Sequence, residues 1–178
     1  RPSYAPVNIH HVLERVRTLV LAETGERIAI RRDYDPSIPQ LSGDSDQLIQ
    51  AVLNVVRNAV RALGDSGTVI LRTRIQRQLT IGHGRHRLTA QIDIIDDGPG
   101  IPEQFRERVF KMMSTLRARD ECPGSGLGLS IVRKIVTQLG GVVVATEPPS
   151  GQGTRIFIEL PAQLAEPLTA RPSSVQRA

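Results

Sequence analysis

Apolar residues recur at helical spacing along 8–23, NIHHVLERVRTLVLAE, with Asn8 placed to cap the first turn. The following RIAIRRDYDPSIPQL alternates like a strand and then breaks at its prolines. The strongest helical period runs over 45–63, with Asp and Ser cap candidates at its start and Gly64 at its end. TVILRTRIQRQLTI and HRLTAQIDIID keep a period of two, which predicts strands joined around GHGRH at a hairpin tip. PEQFRERVFKMM reads as a short helix, and SGLGLSIVRKIVTQLGG as a glycine-led helix with a glycine stop. VVVATEPP and TRIFIELP predict closing strands around SGQG, and residues 163–178 have no period and read as a disordered tail.

Helices and strands alternate irregularly, with hairpins in the middle and at the end. That order predicts an α/β two-layer sandwich, in which a mixed sheet packs against about three helices, and not a doubly wound parallel sheet. There is no internal repeat at solenoid periods.

Composition narrows this picture. The 178 residues suit one ordinary domain, and 39% hydrophobic content supports a core. With 3% aromatics and no Trp, that core must be built from Leu, Ile, Val and Ala. No apolar run approaches the roughly 18 residues a membrane span needs. Cys122 is the only cysteine, which excludes an internal disulfide and fits a reducing, cytoplasmic setting. The formal charge of +5 is compatible with phosphate ligands, anionic surfaces or nucleic acid. Scattered arginines and few aromatics speak against a nucleic-acid partner. The chain starts with Arg, shows no signal peptide, and reads as a piece of something longer.

On a wheel of about 100° per residue, Leu48, Val52, Val55, Val56, Ala59 and Leu63 gather on one side of the long helix. Gln50, Asn54, Asn58 and Arg61 form a narrow stripe on the other. The stripe is either a solvated face or a ligand surface. Asn is a poor helix former, but it offers a neutral oxygen and a two-donor nitrogen suited to a hydrated divalent ion and phosphate. Arg61 would face the same ligand as a phosphate clamp.

A second piece is IDIIDDGPGIP, 92–102. By period two, Leu88, Ala90, Ile92, Ile94 and Asp96 share one apolar face, so Asp96 points into the core. A buried carboxylate needs a strong donor, and an exocyclic amine such as adenine's would serve; guanine presents an acceptor there. Gly98 and Gly100 let backbone and ligand approach closely. The competing reading is an Asx-type turn at a strand end. The third piece is GSGLGLSIVRKIV, where Gly124, Gly126 and Gly128 lead into an amphipathic helix and aim backbone N–H groups at an anion. It is neither a Walker loop nor a dinucleotide fingerprint.

In this order, the Asn stripe, the D-x-G-x-G turn and the G-x-G-x-G helix start resemble the N, G1 and G2 boxes of the ATP-binding domain of sensor histidine kinases. GQGTRIFIELP is similar to that family's closing strand pair, with Thr154 beside the adenine-binding Asp. The resemblance covers about residues 8–161 and is strongest to the nitrogen-regulation sensor kinases, in IRRDYDPSIPQL, DQLIQAVLNVVRNAVRALG, ILRTRIQRQLTIGHGRHRLTAQIDIIDDGPGIP and GSGLGLSIVRKI. It implies the Bergerat ATP-binding fold, with residues 1–162 as the catalytic domain. Within it, 1–23 would include the segment after a missing dimerisation domain and 101–124 the ATP lid.

The same resemblance implies Mg-ATP as cofactor. Asn58 would hold Mg²⁺ on the triphosphate. Asn54 would occupy the place where related ATPases carry a water-activating glutamate, and an amide there suits phosphoryl transfer over hydrolysis. Asp96 would read adenine, with Gly98, Gly100, Ile101 and Thr154 around it. Arg61 and the turn Gly124, Ser125, Gly126, Leu127, Gly128 and Leu129 would cradle phosphates. The γ-phosphoryl group would pass to a histidine on the kinase's own dimerisation domain. The implied partners are an NtrC-like response regulator and the PII signalling protein, and the isolated domain is expected to be a monomer.

The lid departs from the family pattern. Phe110 is kept, but Met112 and Met113 stand where many relatives show aromatics or proline, and Arg117 and Arg119 either reach phosphate on closure or are exposed lid arginines with no ligand. None of the four histidines fits the phosphoacceptor. His10 and His11 lack its acidic neighbour, and His83 and His86 lie at the hairpin tip with too few ligands for a metal. The alternatives are a same-fold ATPase, an anti-sigma-type serine kinase and a docking module with a degenerate nucleotide site.

Overall fold

A computed structural model of the chain describes residues 3–81, 84–111 and 127–162. Helix α1, Ile9–Thr24, begins where the Asn8 side chain accepts the His10 N–H at 2.9 Å, and it stops at Gly25. Helix α2, Ser45–Leu63, begins where Asp44 accepts the N–H groups of Asp46 and Gln47. It ends at Gly64, whose φ of 70° suits a residue without a side chain. Helix α3 spans Leu127–Gln138.

The strands are β1 (Ala5–Val7), β2 (Ile28–Asp33), β3 (Leu41–Gly43), β4 (Gly67–Ile81), β5 (Gly84–Asp96), β6 (Val142–Thr146) and β7 (Thr154–Ala162). Five of them form the main sheet in the order β2-β4-β5-β7-β6. β2 runs parallel to β4, and the other neighbours are antiparallel, so the sheet is mixed. β1 and β3 make a separate two-stranded ribbon.

The helices cover one face of this sheet. Leu88, Ala90, Ile92 and Ile94 of β5 are buried under Val12 and Val16 of α1, Val52, Val55 and Val56 of α2, and Val132 and Val136 of α3. Each large aliphatic side chain so buried contributes roughly 1.5–3 kcal/mol. The other face is polar. There Asp33 takes hydrogen bonds from Arg72 and Arg74, both at 2.9 Å, and Asp93 pairs with Arg155 at 3.1 Å.

Three details differ from the sequence expectation. PEQFRERVFKMM is not an α-helix over its described part. Its backbone closes only i→i+3 bonds, in two 3₁₀ turns at Glu103–Phe105 and Arg108–Phe110. Phe105, Val109 and Phe110 give too few apolar contacts to pull a short, charged segment into a full helix. The hairpin ladder runs further than read, with Thr80 opposite Arg85 and Ile81 opposite Gly84, so the tip is narrower than GHGRH. The three-residue strands β1 and β3 were too short to show a period. Met112, Met113, Arg117, Arg119, Gly124, Ser125, Gly126, His83 and the tail 163–178 lie outside the described residues. Among the described residues no helix is long and apolar enough to cross a membrane.

Candidate functional site

The polar stripe of α2 is only partly a solvated face. Gln50 and Arg61 are exposed, but Asn54 and Asn58 are half-buried. The Asn54 side-chain nitrogen donates to the Gly128 carbonyl of α3 at 3.4 Å. Arg61 donates to Asn58 Oδ1 at 3.3 Å, while Asn58 Nδ2 is buried with no partner among the described residues. A buried donor without an acceptor costs about 1–3 kcal/mol, so it marks a place where a ligand is expected. Asn58 and Arg61 both border a cleft of about 850 Å³ between α2, the end of β5 and the β6–β7 loop.

Asp96 lies in the wall of this cleft and is only 5% exposed. Its position follows from register: it is the last residue of the buried β5 face, between Val69 and Thr154. The Gly98 N–H donates to Asp96 Oδ1 at 2.9 Å. Burial pushes its carboxyl above the ordinary carboxylate range, the Gly98 and Thr154 backbone amides pull it partly back, and neighbouring Asp97 pushes it up. Among the described residues no cation pairs with it.

Three glycines set the depth of this corner. A Cβ on Gly98 would stand 3.0 Å from Asp96 Oδ1. Gly100 has φ 81°, and a Cβ there would come within 2.9 Å of the Gly153 carbonyl oxygen. Gly153, at φ 102°, has its Cβ position overlapping the Asp96 carbonyl. Asp97 pins the turn from outside by accepting the Thr68 N–H at 2.9 Å.

Val55, Ala59, Ile94, Ile101, Leu129 and Ile156 give the cleft apolar sides, and the loops add Glu103, Arg106, Glu147 and Gln152. A slot with apolar sides and a buried carboxylate in its wall suits a flat heteroaromatic base that carries an amine. The opposite end, with Asn58 and Arg61, suits phosphate. Among the described residues no three His, Cys, Asp or Glu converge as a metal cage. A divalent ion at Asn58 would therefore take its other oxygens from ligand phosphates and water, the usual habit of Mg²⁺.

The structure thus brings Asn58, Arg61, Asp96, Gly100, Ile101, Leu129 and Thr154 to one cleft, with Gly98 behind Asp96. Asn54 sits beside the cleft against α3, and Leu127 opens that helix. Sequence reading missed Arg106, Glu147 and Gln152, which also line it. They are single polar residues in loops, with neither period nor motif to mark them.

Asp96→Asn should raise the melting temperature of the ligand-free domain at neutral pH. Because the folded-state pKa is raised, Asp96 favours folding fully only below its unfolded value, about 3.9, and that contribution is lost as pH rises through the folded value. The stability gap between variant and parent should therefore open with rising pH and close again in acid, as thermal melts of both would show. A gap independent of pH would mean that the carboxylate is not strained by burial.

Residues 43–164 match the family of histidine kinase-, DNA gyrase B- and HSP90-like ATPases. The chain is 44% identical over 154 residues to the sensory histidine kinase/phosphatase NtrB of Escherichia coli O157:H7. That match covers 86% of this chain but 43% of the relative, so the chain spans less than half of that relative's length. Among solved structures, the mycobacterial sensor histidine kinase MprB is 33% identical with a TM-score of 0.70, over 92% of this chain and 100% of that one. Full-length ShkA, solved in complex with AMPPNP, is 28% identical with a TM-score of 0.72, over 93% of this chain and 32% of that one.

Proposed function

The chain belongs to the family of histidine kinase-, DNA gyrase B- and HSP90-like ATPases, in its sensor histidine kinase branch, and we propose that it binds Mg-ATP and passes the γ-phosphoryl group to a histidine on a separate dimerisation domain. The observation that carries this reading is the pairing, across one cleft, of Asp96, a buried carboxylate, with the Asn58 side-chain nitrogen, neither of which has a counter-charge or acceptor among the described residues. Each is costly alone, and an adenine nucleotide would satisfy both.

In this reading Asp96 accepts a hydrogen bond from the adenine amine, while Gly98, Gly100, Ile101 and Thr154 shape the base pocket. Arg61, with Gly124, Ser125, Gly126, Leu127, Gly128 and Leu129, holds the phosphates. The Asn58 oxygen, which accepts from Arg61 in this structure, would be the side-chain ligand of Mg²⁺. The ion supplies charge neutralisation on the triphosphate. Asn54 cannot take a proton from water, so bound ATP is held for transfer rather than hydrolysed. Work of this kind is mostly positioning and charge stabilisation. The bound AMPPNP of ShkA is in keeping with a nucleotide at this site.

Residues 1–162 are then the catalytic domain, with 101–124 as its lid. The identity to NtrB supports a place in a nitrogen-regulation two-component system, with an NtrC-like response regulator downstream and PII as a regulator. Calorimetric titration tests the core of this. ATP and ADP should bind only weakly without Mg²⁺, ATP more tightly with it, and GTP not measurably. Equal affinity for GTP would sink the role given to Asp96, and no binding would move the docking-module reading to the front.

A further inference from the structure

One rim of the cleft is closed by an ion pair that the motifs do not account for. Arg106 leaves the short linker between the two 3₁₀ turns and lies along the cleft wall, 23% exposed. Its Nε donates to the Ile101 carbonyl at 3.1 Å, and its Nη2 donates to Glu147 Oε1 at 3.1 Å. Glu147 begins the β6–β7 loop and also lines the cleft. The guanidinium therefore ties the Asp96–Ile101 turn to the β6–β7 loop, on the side opposite α2. The far end of that loop is already fixed, because Gly153 packs on the Asp96 carbonyl and Gln152 Nε2 donates to the Gly98 carbonyl at 3.4 Å. Its near end has Arg106 as its anchor to the turn.

We propose that Arg106 and Glu147 form a clasp across the mouth of the base pocket and set how long a bound adenine nucleotide stays. The proposal rests on the ATP-binding reading above. Arg106 acts as a positioning residue: it holds two loops at a fixed separation and need not touch the nucleotide. Because the Glu147 side chain is 64% exposed, the pair is partly screened and can open. Opening frees the loop and widens the mouth without disturbing Asp96. The effect therefore falls on release more than on entry, as most affinity changes within one site do.

A neighbouring pair supplies the control. Glu107 takes hydrogen bonds from Arg133 of α3 at 2.6 and 3.2 Å, on the other side of the same segment, and neither residue lines the cleft. Arg106→Gln and Glu147→Gln should each speed release of a fluorescent N-methylanthraniloyl ATP by roughly two- to five-fold, the range that a half-exposed ion pair carries. Glu107→Gln should leave release unchanged. The exchanged pair Arg106→Glu with Glu147→Arg should recover part of the parent rate, because it restores the charge pair while a carboxylate at 106 cannot donate to the Ile101 carbonyl. Raising the salt should bring the parent toward the single variants.

Unchanged release in Glu147→Gln, or a double exchange as fast as the singles, overturns the clasp. Should the parent not bind the analogue, the ATP reading fails, and amide hydrogen exchange of the ligand-free protein decides about the clasp alone. Residues 147–153 should then exchange faster in Arg106→Gln, and equal exchange refutes it.

Discussion

Asn58→Ala should weaken Mg-dependent ATP binding by on the order of 100-fold, the scale of losing a group that orders a metal site. The melting temperature without ligand should hardly move. Most polar side chains on a helix contribute something to the ligand-free fold, but Asn58 has little to lose. Among the described residues its nitrogen is buried without a partner, and its oxygen is held only by Arg61, an exposed side chain, at 3.3 Å. Removing an unsatisfied donor is close to neutral or slightly favourable. Ala is also the best helix former, which adds a small gain of a few tenths of a kcal/mol, on the order of 0.5. Calorimetry with and without Mg²⁺, beside thermal melts, reads both quantities. If the variant unfolds yet keeps ATP affinity, the stripe is scaffold and the site has been misread.

Gly153→Ala should be far more damaging than Gly151→Ala, although the two are two residues apart in one loop. Both have positive φ, 102° and 77°. A Cβ at Gly151 meets nothing within 4 Å, so only the backbone preference is paid, about 1 kcal/mol. A Cβ at Gly153 overlaps the Asp96 carbonyl and stands 2.9 Å from Asp97 Cα, both backbone atoms that cannot turn aside. Overpacking of this sort adds about 1–3 kcal/mol, so the total loss for Gly153→Ala is roughly 3 kcal/mol. In a domain of this size that lowers the melting temperature by about 6–12 °C. Nucleotide binding should fall with it, since the displaced strand end carries Asp96. Equal melting temperatures for the two variants would show that the β5–β7 corner yields freely.

The main elements were legible because their patterns are long. α2 carries both caps and five turns of period, and its bounds follow from Asp44 and Gly64. The burial of Asp96 was readable from alternation alone, since Leu88, Ala90, Ile92 and Ile94 fix its face. What the stripe does was not readable from the helix. Only the approach of α3 and the β5 end shows that Asn54 and Asn58 are half-buried, and that meeting joins residues far apart in sequence. The segment after Pro102 failed for the opposite reason: Phe105, Val109 and Phe110 among mostly charged residues are too weak a period to distinguish a helical turn from a 3₁₀ turn. Arg106 and Glu147 carry no pattern at all, because an ion pair between loops exists only once the loops are in place.

The single parallel junction of the sheet has a consequence of its own. β2 and β4 are parallel neighbours, and the chain between them includes α2, so this helix is the crossover that returns the chain to the same end of the sheet. The hand of this one connection decides which face of the sheet carries α2, and with it Asn58. A crossover of the opposite hand would carry Asn58 to the polar face beside Arg72 and Asp93, with the whole sheet between it and Asp96.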